Sequence, residues 1–134
     1  MRLPVHPEHK TCVACGPDNK YGLHLAFAPA GPGAVQGAIF CRKELTGYDG
    51  LLQGGVAAMM LDSAMANCLF SSSVTAFTAE MSLKYHAPVL IGRAAVLKAW
   101  IEKDYSPLYL MRSQLLQDGI LKVEAGAKFM RKPL

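Results

Sequence analysis

The chain of 134 residues is 51% hydrophobic and 18% charged, which excludes an intrinsically disordered protein. Its formal net charge is +4, and no lysine or arginine cluster exceeds a pair, as at Arg42-Lys43 and Arg131-Lys132. A nucleic-acid-binding surface is therefore not expected. No uncharged apolar run reaches the roughly 18 positions that a membrane span needs, so we also expect no membrane contact.

A chain of this length is expected to form one domain around one core. Residues 1–20 are rich in proline, histidine and turn formers, so they predict an N-terminal arm, followed by a single domain over residues 21–134. Because the domain is small and rather apolar, we expect it to hide surface in a homodimer, or in a tetramer formed by two dimers. The cysteines are unevenly spaced and no signal peptide precedes them, which favours reduced thiols and a cytoplasmic location.

The first half of the chain predicts a hairpin followed by a helix. Leu23, Leu25 and Phe27 alternate with His24, Ala26 and Ala28 and predict a strand over residues 21–28, and residues 34–41 predict its partner. Residues 56–70 consist mostly of strong helix formers with no proline or glycine, and their length of about four turns predicts a helix. Apolar residues occupy all of its faces, so we expect protein to surround it.

The second half of the chain predicts four strands with short connections, because its apolar residues alternate with a period of two. The predicted ranges are 75–85, 93–104, 108–117 and 120–131. Short connections between consecutive strands imply an antiparallel sheet. The sequence therefore predicts an α+β fold in which five to six antiparallel strands wrap around one long central helix.

Asp62 is the single charged residue within the apolar stretch 50–70. Side chains three and four positions away on a helix cannot pair with it. Those neighbours are Ala58, Met59, Met65 and Ala66. One interpretation is that Asp62 reaches the surface or caps a neighbouring element. The other is a carboxylate held in an apolar pocket, which suits a general base or a nucleophile.

Gln53-Gly54-Gly55 stands immediately before the predicted helix. Two glycines allow close approach of a ligand to the backbone, and the first N–H groups of a helix have no intrahelical acceptor. With the positive end of the helix dipole, such N–H groups can hold a developing oxyanion. A tightly packed loop-to-helix joint is the alternative, and Asp62 in the same helix favours a site.

Three blocks of the chain carry a resemblance to a known family. They are Cys12-Val13-Ala14-Cys15-Gly16 with Asn19 and Tyr21-Gly22-Leu23-His24-Leu25; Tyr48-Asp49-Gly50 with Gly54-Gly55-Val56 and Leu61-Asp62-Ser63-Ala64; and Thr78-Ala79-Glu80-Met81-Ser82-Leu83-Lys84-Tyr85 with Pro88-Val89. In order and spacing they resemble hotdog-fold acyl-CoA thioesterases of the PaaI type. The resemblance implies the hotdog fold and hydrolysis of an acyl-CoA thioester, with no cofactor beyond the coenzyme A of the substrate.

The resemblance also implies roles for individual residues. The thioester carbonyl would meet the N–H of Gly55, with Gly54 nearby, and Asp62 of the partner subunit would activate water or attack directly. Thr78 falls where related enzymes carry a hydroxyl that orients water or the carboxylate. The family usually has histidine where this chain has Gln53, which can donate a hydrogen bond but cannot shuttle a proton near neutral pH.

Three further residues are predicted to bind the substrate. Tyr48 lies in the second matched block, and the basic side chains Lys84 and Arg93 are candidates for the coenzyme A phosphates. Lys103 and Arg112 are basic residues of the same kind, between which the sequence does not choose.

Two other functions stay open from the sequence. Replacement of the usual histidine by Gln53 fits a protein that binds acyl-CoA or another acyl ligand without turnover. A hotdog dehydratase or hydratase is disfavoured, because that chemistry needs a histidine paired with a carboxylate and none occupies the helix entry.

The pair Cys12-x-x-Cys15 is half of a zinc ligand set, with no second pair at zinc-finger spacing. His6 and His9 lie close in sequence, but no pattern positions them. We therefore predict no metal site and a structural cysteine pair.

Overall fold

The computed structural model describes residues 1–133 and contains one long helix and six strands. The elements are β1 (Ala28–Pro29), β2 (Ala34–Phe40), α1 (Gly54–Ser71), β3 (Ala76–Tyr85), β4 (Ala94–Tyr105), β5 (Leu108–Gln117) and β6 (Ile120–Arg131), with short 3-10 helices at Pro7–His9 and Lys43–Leu45. All neighbouring strands are antiparallel, and α1 packs against the sheet. The predicted α+β fold, a sheet around one central helix, is confirmed.

The order of the strands across the sheet is β1-β2-β4-β5-β6-β3. The chain leaves β2, crosses the sheet as α1 and returns as β3 beside β6. One edge of the sheet is the two-residue strand β1, and the other is the ten-residue strand β3. A long edge strand presents unpaired backbone groups to whatever lies beside it.

The period-two pattern places the core on the face of the sheet that contacts α1. In β4, the side chains of Ala95, Leu97 and Ala99 are completely buried, as the alternation predicted. In β6 the same holds for Val123 and Phe129, which are also fully buried. The bounds predicted for β5 and β6 are confirmed without change.

The strand predicted over residues 21–28 is wrong for most of its length, since only Ala28–Pro29 pair with β2. His24 has a positive φ of 52°, which breaks the extended backbone. The N–H groups of Leu23 and Leu25 instead donate to the carbonyls of Val13 and Ala14, both at 2.9 Å. The alternation of apolar residues in this segment therefore reflects burial against the N-terminal residues.

The N-terminal segment, expected as an arm, packs on the domain. Ala14 and Cys15 belong to the hydrophobic core, and the N–H of Leu3 donates to the carbonyl of Phe27 at 2.8 Å. Of the predicted domain 21–134, residue 134 lies outside the described residues. In the same range, residues 1–133, no helix is long and apolar enough to cross a membrane.

Helix α1 begins two residues before the predicted start, at Gly54, and ends at Ser71. Nine of its residues are buried, among them Met60, Leu61 and Met65. The expectation that protein surrounds the helix on every side is wrong within one chain, because one stripe of side chains is only half-buried. The residues of that half-covered face are Ala58, Met59, Asp62 and Ala66.

We expect Phe129→Ala to lower the free energy of unfolding by about 3–5 kcal/mol, because it removes a fully buried ring and leaves a cavity. Chemical denaturation monitored by circular dichroism measures this change. The control is Phe40→Ala, which truncates a phenylalanine that is 59% exposed. Equal losses in the two variants would contradict the assignment of the core to the α1 face.

Candidate active site

Asp62 and Thr78 meet at the half-covered face of α1. The hydroxyl of Thr78 in β3 donates to Oδ1 of Asp62 at 2.6 Å. This distance lies within the usual range of a hydroxyl hydrogen bond, so one oxygen of the carboxylate is held in place. Asp62 is half-buried and Thr78 is exposed, so the carboxylate stands at the boundary between core and solvent. The partner that Asp62 lacks on its own helix is supplied by the edge strand.

A β-bulge in β3 makes this contact compatible with the rest of the strand. The register against β6 shifts between Thr78 and Glu80, so Ala79 is an extra residue. Successive side chains of a regular strand point to opposite faces, and one extra residue reverses that order. Thr78 and Tyr85, seven positions apart, therefore share the face that looks toward α1.

Gln53 caps the N-terminus of α1. Its side-chain Oε1 accepts a hydrogen bond from the N–H of Val56 at 3.0 Å. The oxygen lies so close to the helix that a Cβ at position 55 would be 2.8 Å from it, so Gly55 makes room for the cap. The side-chain oxygen of Gln53 is thus occupied by its hydrogen bond with the helix, and the side-chain NH₂ group remains able to donate to a ligand.

The first two N–H groups of α1, those of Gly54 and Gly55, have no acceptor among residues 1–133. Gly55 is exposed, so its donor is accessible. The hydroxyl of Tyr85 donates to the carbonyl of Gly54 at 2.7 Å, which fixes the first turn of the helix to the end of β3. This end of α1 therefore combines free donors with a positive dipole.

Two adjoining clefts open at the same end of α1. One has a volume of about 340 Å³ and the other about 290 Å³, and both include Tyr48, Leu52 and Gly54. The larger continues along Tyr85 and the segment 86–89, and the smaller reaches Gln53. Predominantly apolar walls with a few polar groups are typical of small-molecule sites. The predicted residues Tyr48, Gln53 and Gly54 are thus brought together.

Asp62 does not join them within one chain. It follows Gly55 by two helical turns, which corresponds to a rise of about 10 Å along the axis. The two residues lie on the same side of α1, but too far apart to act on one carbonyl group. The structure therefore separates the predicted catalytic residues into a carboxylate with Thr78 and a helix N-terminus with Gln53.

The predicted basic residues lie outside the clefts. Lys84 is paired across the strands with Glu124, on the sheet face opposite to Tyr85 and α1. Arg93 is at the same end of the sheet as the helix N-terminus, but its guanidinium donates to Asp118 at 2.9 Å, in an exposed ion pair. Neither residue contacts a cleft-lining side chain in the described contacts.

Tyr85 and His86 were not among the predicted site residues, although both line the larger cleft. The sequence signal for them was an aromatic residue, Tyr85, at the end of a predicted strand and followed by His86-Ala87-Pro88. Its meaning depends on the contact between Tyr85 and Gly54, which are 31 positions apart. Local patterning cannot give such a contact.

Solved structures with the same architecture include several thioesterases. A thioesterase superfamily protein superposes with a TM-score of 0.85 at 20% identity over 90% of this chain, which spans 60% of that protein's length. A Ralstonia eutropha protein named as related to phenylacetic acid degradation gives 0.76 at 20% identity, with 96% of this chain and 92% of that chain covered. A Streptococcus mutans protein bound to acetyl-CoA gives 0.76 at 14% identity, with 81% and 88% covered.

These likenesses show that the chain has the hotdog fold of thioesterase-superfamily proteins, which confirms the resemblance in fold indicated by the sequence. No protein-family model matches the chain, and no curated protein matches it by sequence.

We expect Gln53→Ala to lower the free energy of unfolding by about 1 kcal/mol, because the helix loses its N-cap acceptor. The measurement is denaturant unfolding, and the control is Gln36→Ala, which truncates an exposed glutamine of β2. If both variants lose the same stability, the Gln53 cap does not stabilise α1.

Proposed function

We propose that the protein hydrolyses an acyl-CoA thioester at a site formed between two subunits. The observation that carries the proposal is the hydrogen bond between Thr78 and Asp62, because it presents the only charged group of α1 at a half-covered face beside a free sheet edge. A carboxylate retained at such a position and oriented by a hydroxyl is suited to act on a substrate.

The helix N-terminus binds the thioester carbonyl in this mechanism. The N–H of Gly55, with that of Gly54 beside it, donates to the carbonyl oxygen and stabilises the negative charge that develops there. The acyl group lies along the apolar walls of the cleft at Tyr48 and Leu52. The NH₂ group of Gln53 is an additional donor at the mouth of the same cleft.

Asp62 of the partner subunit supplies the carboxylate. It removes a proton from a water molecule, whose oxygen attacks the carbonyl carbon; the tetrahedral intermediate then breaks its carbon–sulfur bond and releases coenzyme A as a thiolate. Direct attack by the carboxylate would instead give a mixed anhydride that water cleaves. In either route Thr78 fixes Oδ1 of Asp62, so that Oδ2 faces the reacting atoms.

The free edge of β3 supports the assembly that this mechanism needs. Pairing of β3 with β3 of a second copy would satisfy the edge backbone groups and continue the sheet. It would also cover Met59 and Ala66 of the half-covered face of α1. Because this dimer is symmetric, each subunit can offer its Asp62 to the partner's helix N-terminus.

Coenzyme A is the proposed carrier, and two observations support it. A structural neighbour is bound to acetyl-CoA. The basic residue Arg93 lies at the cleft end of the sheet, where its guanidinium can leave Asp118 and bind a phosphate of coenzyme A. Lys84 can reach a phosphate only from the other face of the sheet. The reaction needs no further cofactor. Reduced cysteines fit a cytoplasmic location.

Binding without hydrolysis is the second candidate function. The observation that favours it is the cap made by Gln53, whose oxygen is held by Val56 and whose amide cannot transfer a proton. In that case the cleft and the helix N-terminus still bind the acyl-CoA, while no group assists departure of the thiolate.

We expect Asp62→Ala to lower kcat for at least one acyl-CoA by about 100-fold or more, because the activating carboxylate is lost. Thr78→Val removes the hydroxyl that fixes the carboxylate and should cause a smaller loss. Release of free thiol from short-chain, long-chain and aromatic acyl-CoAs measures both effects.

The control for these variants is Asp18→Asn, which changes an exposed carboxylate of the N-terminal segment. Equal rates for the wild type and Asp62→Ala would overturn the mechanism. Binding of acyl-CoA by calorimetry with no turnover of any substrate would establish the binding function instead.

A second experiment tests whether the two halves of the site come from different subunits. Gly55→Pro removes the proposed donor at a first-turn position where proline is tolerated, and Asp62→Ala removes the carboxylate. Two different affinity tags allow the heterodimer of these inactive variants to be isolated. It should recover about half of the wild-type activity per dimer, because one of its two sites contains both intact residues.

Analytical ultracentrifugation should give about twice the chain mass of 14.5 kDa for the wild type. Gln53→Ala controls for the displaced cap in Gly55→Pro, since a Cβ at position 55 pushes the Gln53 side chain aside. A heterodimer as inactive as its parents would show that Asp62 and Gly55 do not combine across subunits.

A further inference from the structure

Three potential metal ligands converge in the N-terminal segment, away from the proposed catalytic residues. One ligand atom each from His9, Cys12 and Cys15 can be chosen such that all lie within 4.8 Å of one another. Nδ1 of His9 is 3.5 Å from Sγ of Cys15. The sequence predicted a purely structural cysteine pair because nothing positioned a histidine; the short 3-10 helix Pro7–His9 does so.

The backbone around Cys12 orients its sulfur. The N–H groups of Ala14 and Cys15 both point at the sulfur of Cys12, at 3.4 and 3.5 Å. The turn is tight enough that a Cβ on Gly16 would lie 2.3 Å from the nitrogen of Cys12, so position 16 requires glycine. Backbone N–H groups directed at a cysteine sulfur stabilise its negative charge and orient it.

Cys15 is buried next to helix α1. Asn67 of α1 lines the same small cavity as Cys15, and its side-chain NH₂ donates to the carbonyl of Ser63 at 2.9 Å. These two are the buried polar residues of an otherwise apolar helix, and the thioesterase mechanism uses neither. They are hydrogen-bonded to each other, and Asn67 is placed beside Cys15.

The separation of the nitrogen of His9 and the sulfur of Cys15 suits a tetrahedral zinc ion. With Zn–S bonds of about 2.3 Å and Zn–N bonds of about 2.0 Å, a nitrogen and a sulfur ligand lie about 3.5 Å apart, as they do at His9 and Cys15. His6 is not a fourth ligand, because its Nε2 is bonded to Thr75 and its Nδ1 accepts from Glu8. The fourth position is left to water. Cys12 and His9 are only half-buried, so the ion can enter from solvent.

We propose that His9, Cys12 and Cys15 form a zinc site that fixes the N-terminal segment to α1. Two soft thiolates and an imidazole select a thiophilic divalent cation such as Zn²⁺ over Mg²⁺ or Ca²⁺. The site tethers residues 9–15 to the part of the helix around Asn67, on a different side of α1 from Asp62. It is independent of the proposed hydrolysis, since no ligand belongs to the catalytic site.

The test uses the full chain, purified under a reductant that does not bind metal, with Zn²⁺ and Co²⁺ as probes. We expect one zinc per chain by elemental analysis, and charge-transfer absorption from thiolate to metal in the Co²⁺ form. Cys12→Ser and His9→Ala should each weaken Zn²⁺ binding by more than about 100-fold in competition with a chromogenic chelator, and Asn67→Ala by about 10–100-fold.

Cys41→Ser is the matched control, because Cys41 is a fully buried cysteine outside the cluster. It should keep the zinc stoichiometry, and so should Asp62→Ala, whatever that variant does to thioester hydrolysis. Folded wild-type protein that takes up no zinc would overturn the proposal. So would the same loss of affinity in Cys41→Ser as in Cys12→Ser, or a chain whose mass shows Cys12 and Cys15 joined as a disulfide despite the reductant.

Discussion

The structure depends on covering one long apolar helix. Helix α1 carries a single charge in 18 residues, so contact with water along its length would be unfavourable. The six-stranded sheet and the N-terminal segment together bury nine of its residues. The sheet of one chain ends at β3, and beyond that edge the stripe containing Met59, Asp62 and Ala66 is only half-buried. The incomplete cover of α1 and the half-buried position of the carboxylate have the same cause, which is the end of the sheet at β3.

One inserted residue allows β3 to contact both halves of the candidate site, which are Asp62 and the N-terminus of α1. In a regular strand Thr78 and Tyr85 would point to opposite faces, and only one of them could contact α1. The bulge at Ala79 reverses the alternation, so that Thr78 reaches Asp62 while Tyr85 reaches the carbonyl of Gly54. Lys84 consequently points to the opposite face with Ser82. The bulge therefore determines which β3 side chains face α1, and Lys84 is not one of them.

Sequence patterning predicted those elements whose side chains obey a local period. Strands β5 and β6 have their predicted bounds because alternation continues up to the Asp118-Gly119 turn. The segment 23–28 also alternates, but its backbone bonds to residues 13 and 14, and periodicity cannot distinguish burial against a turn from burial in a sheet. Asp62 could be identified from the sequence because it is the single charge in an apolar stretch. Its hydrogen bond to Thr78 spans 16 positions, so local patterning does not predict it. The approach of His9 to Cys15 depends on a local turn that no sequence pattern indicated.

The polar residues of α1 show how its surface is divided. Gln53 caps the first turn, so the donors at Gly54 and Gly55 are ordered only while the helix itself is formed. Asp62 lies at the sheet edge, where a second subunit can complete the cover, and Asn67 lies beside Cys15 of the N-terminal segment. A buried polar group on an apolar helix needs a hydrogen-bond partner. Asp62 finds its partner in the edge strand β3, and Asn67 finds its partner in Ser63 of the same helix, beside the cysteine turn.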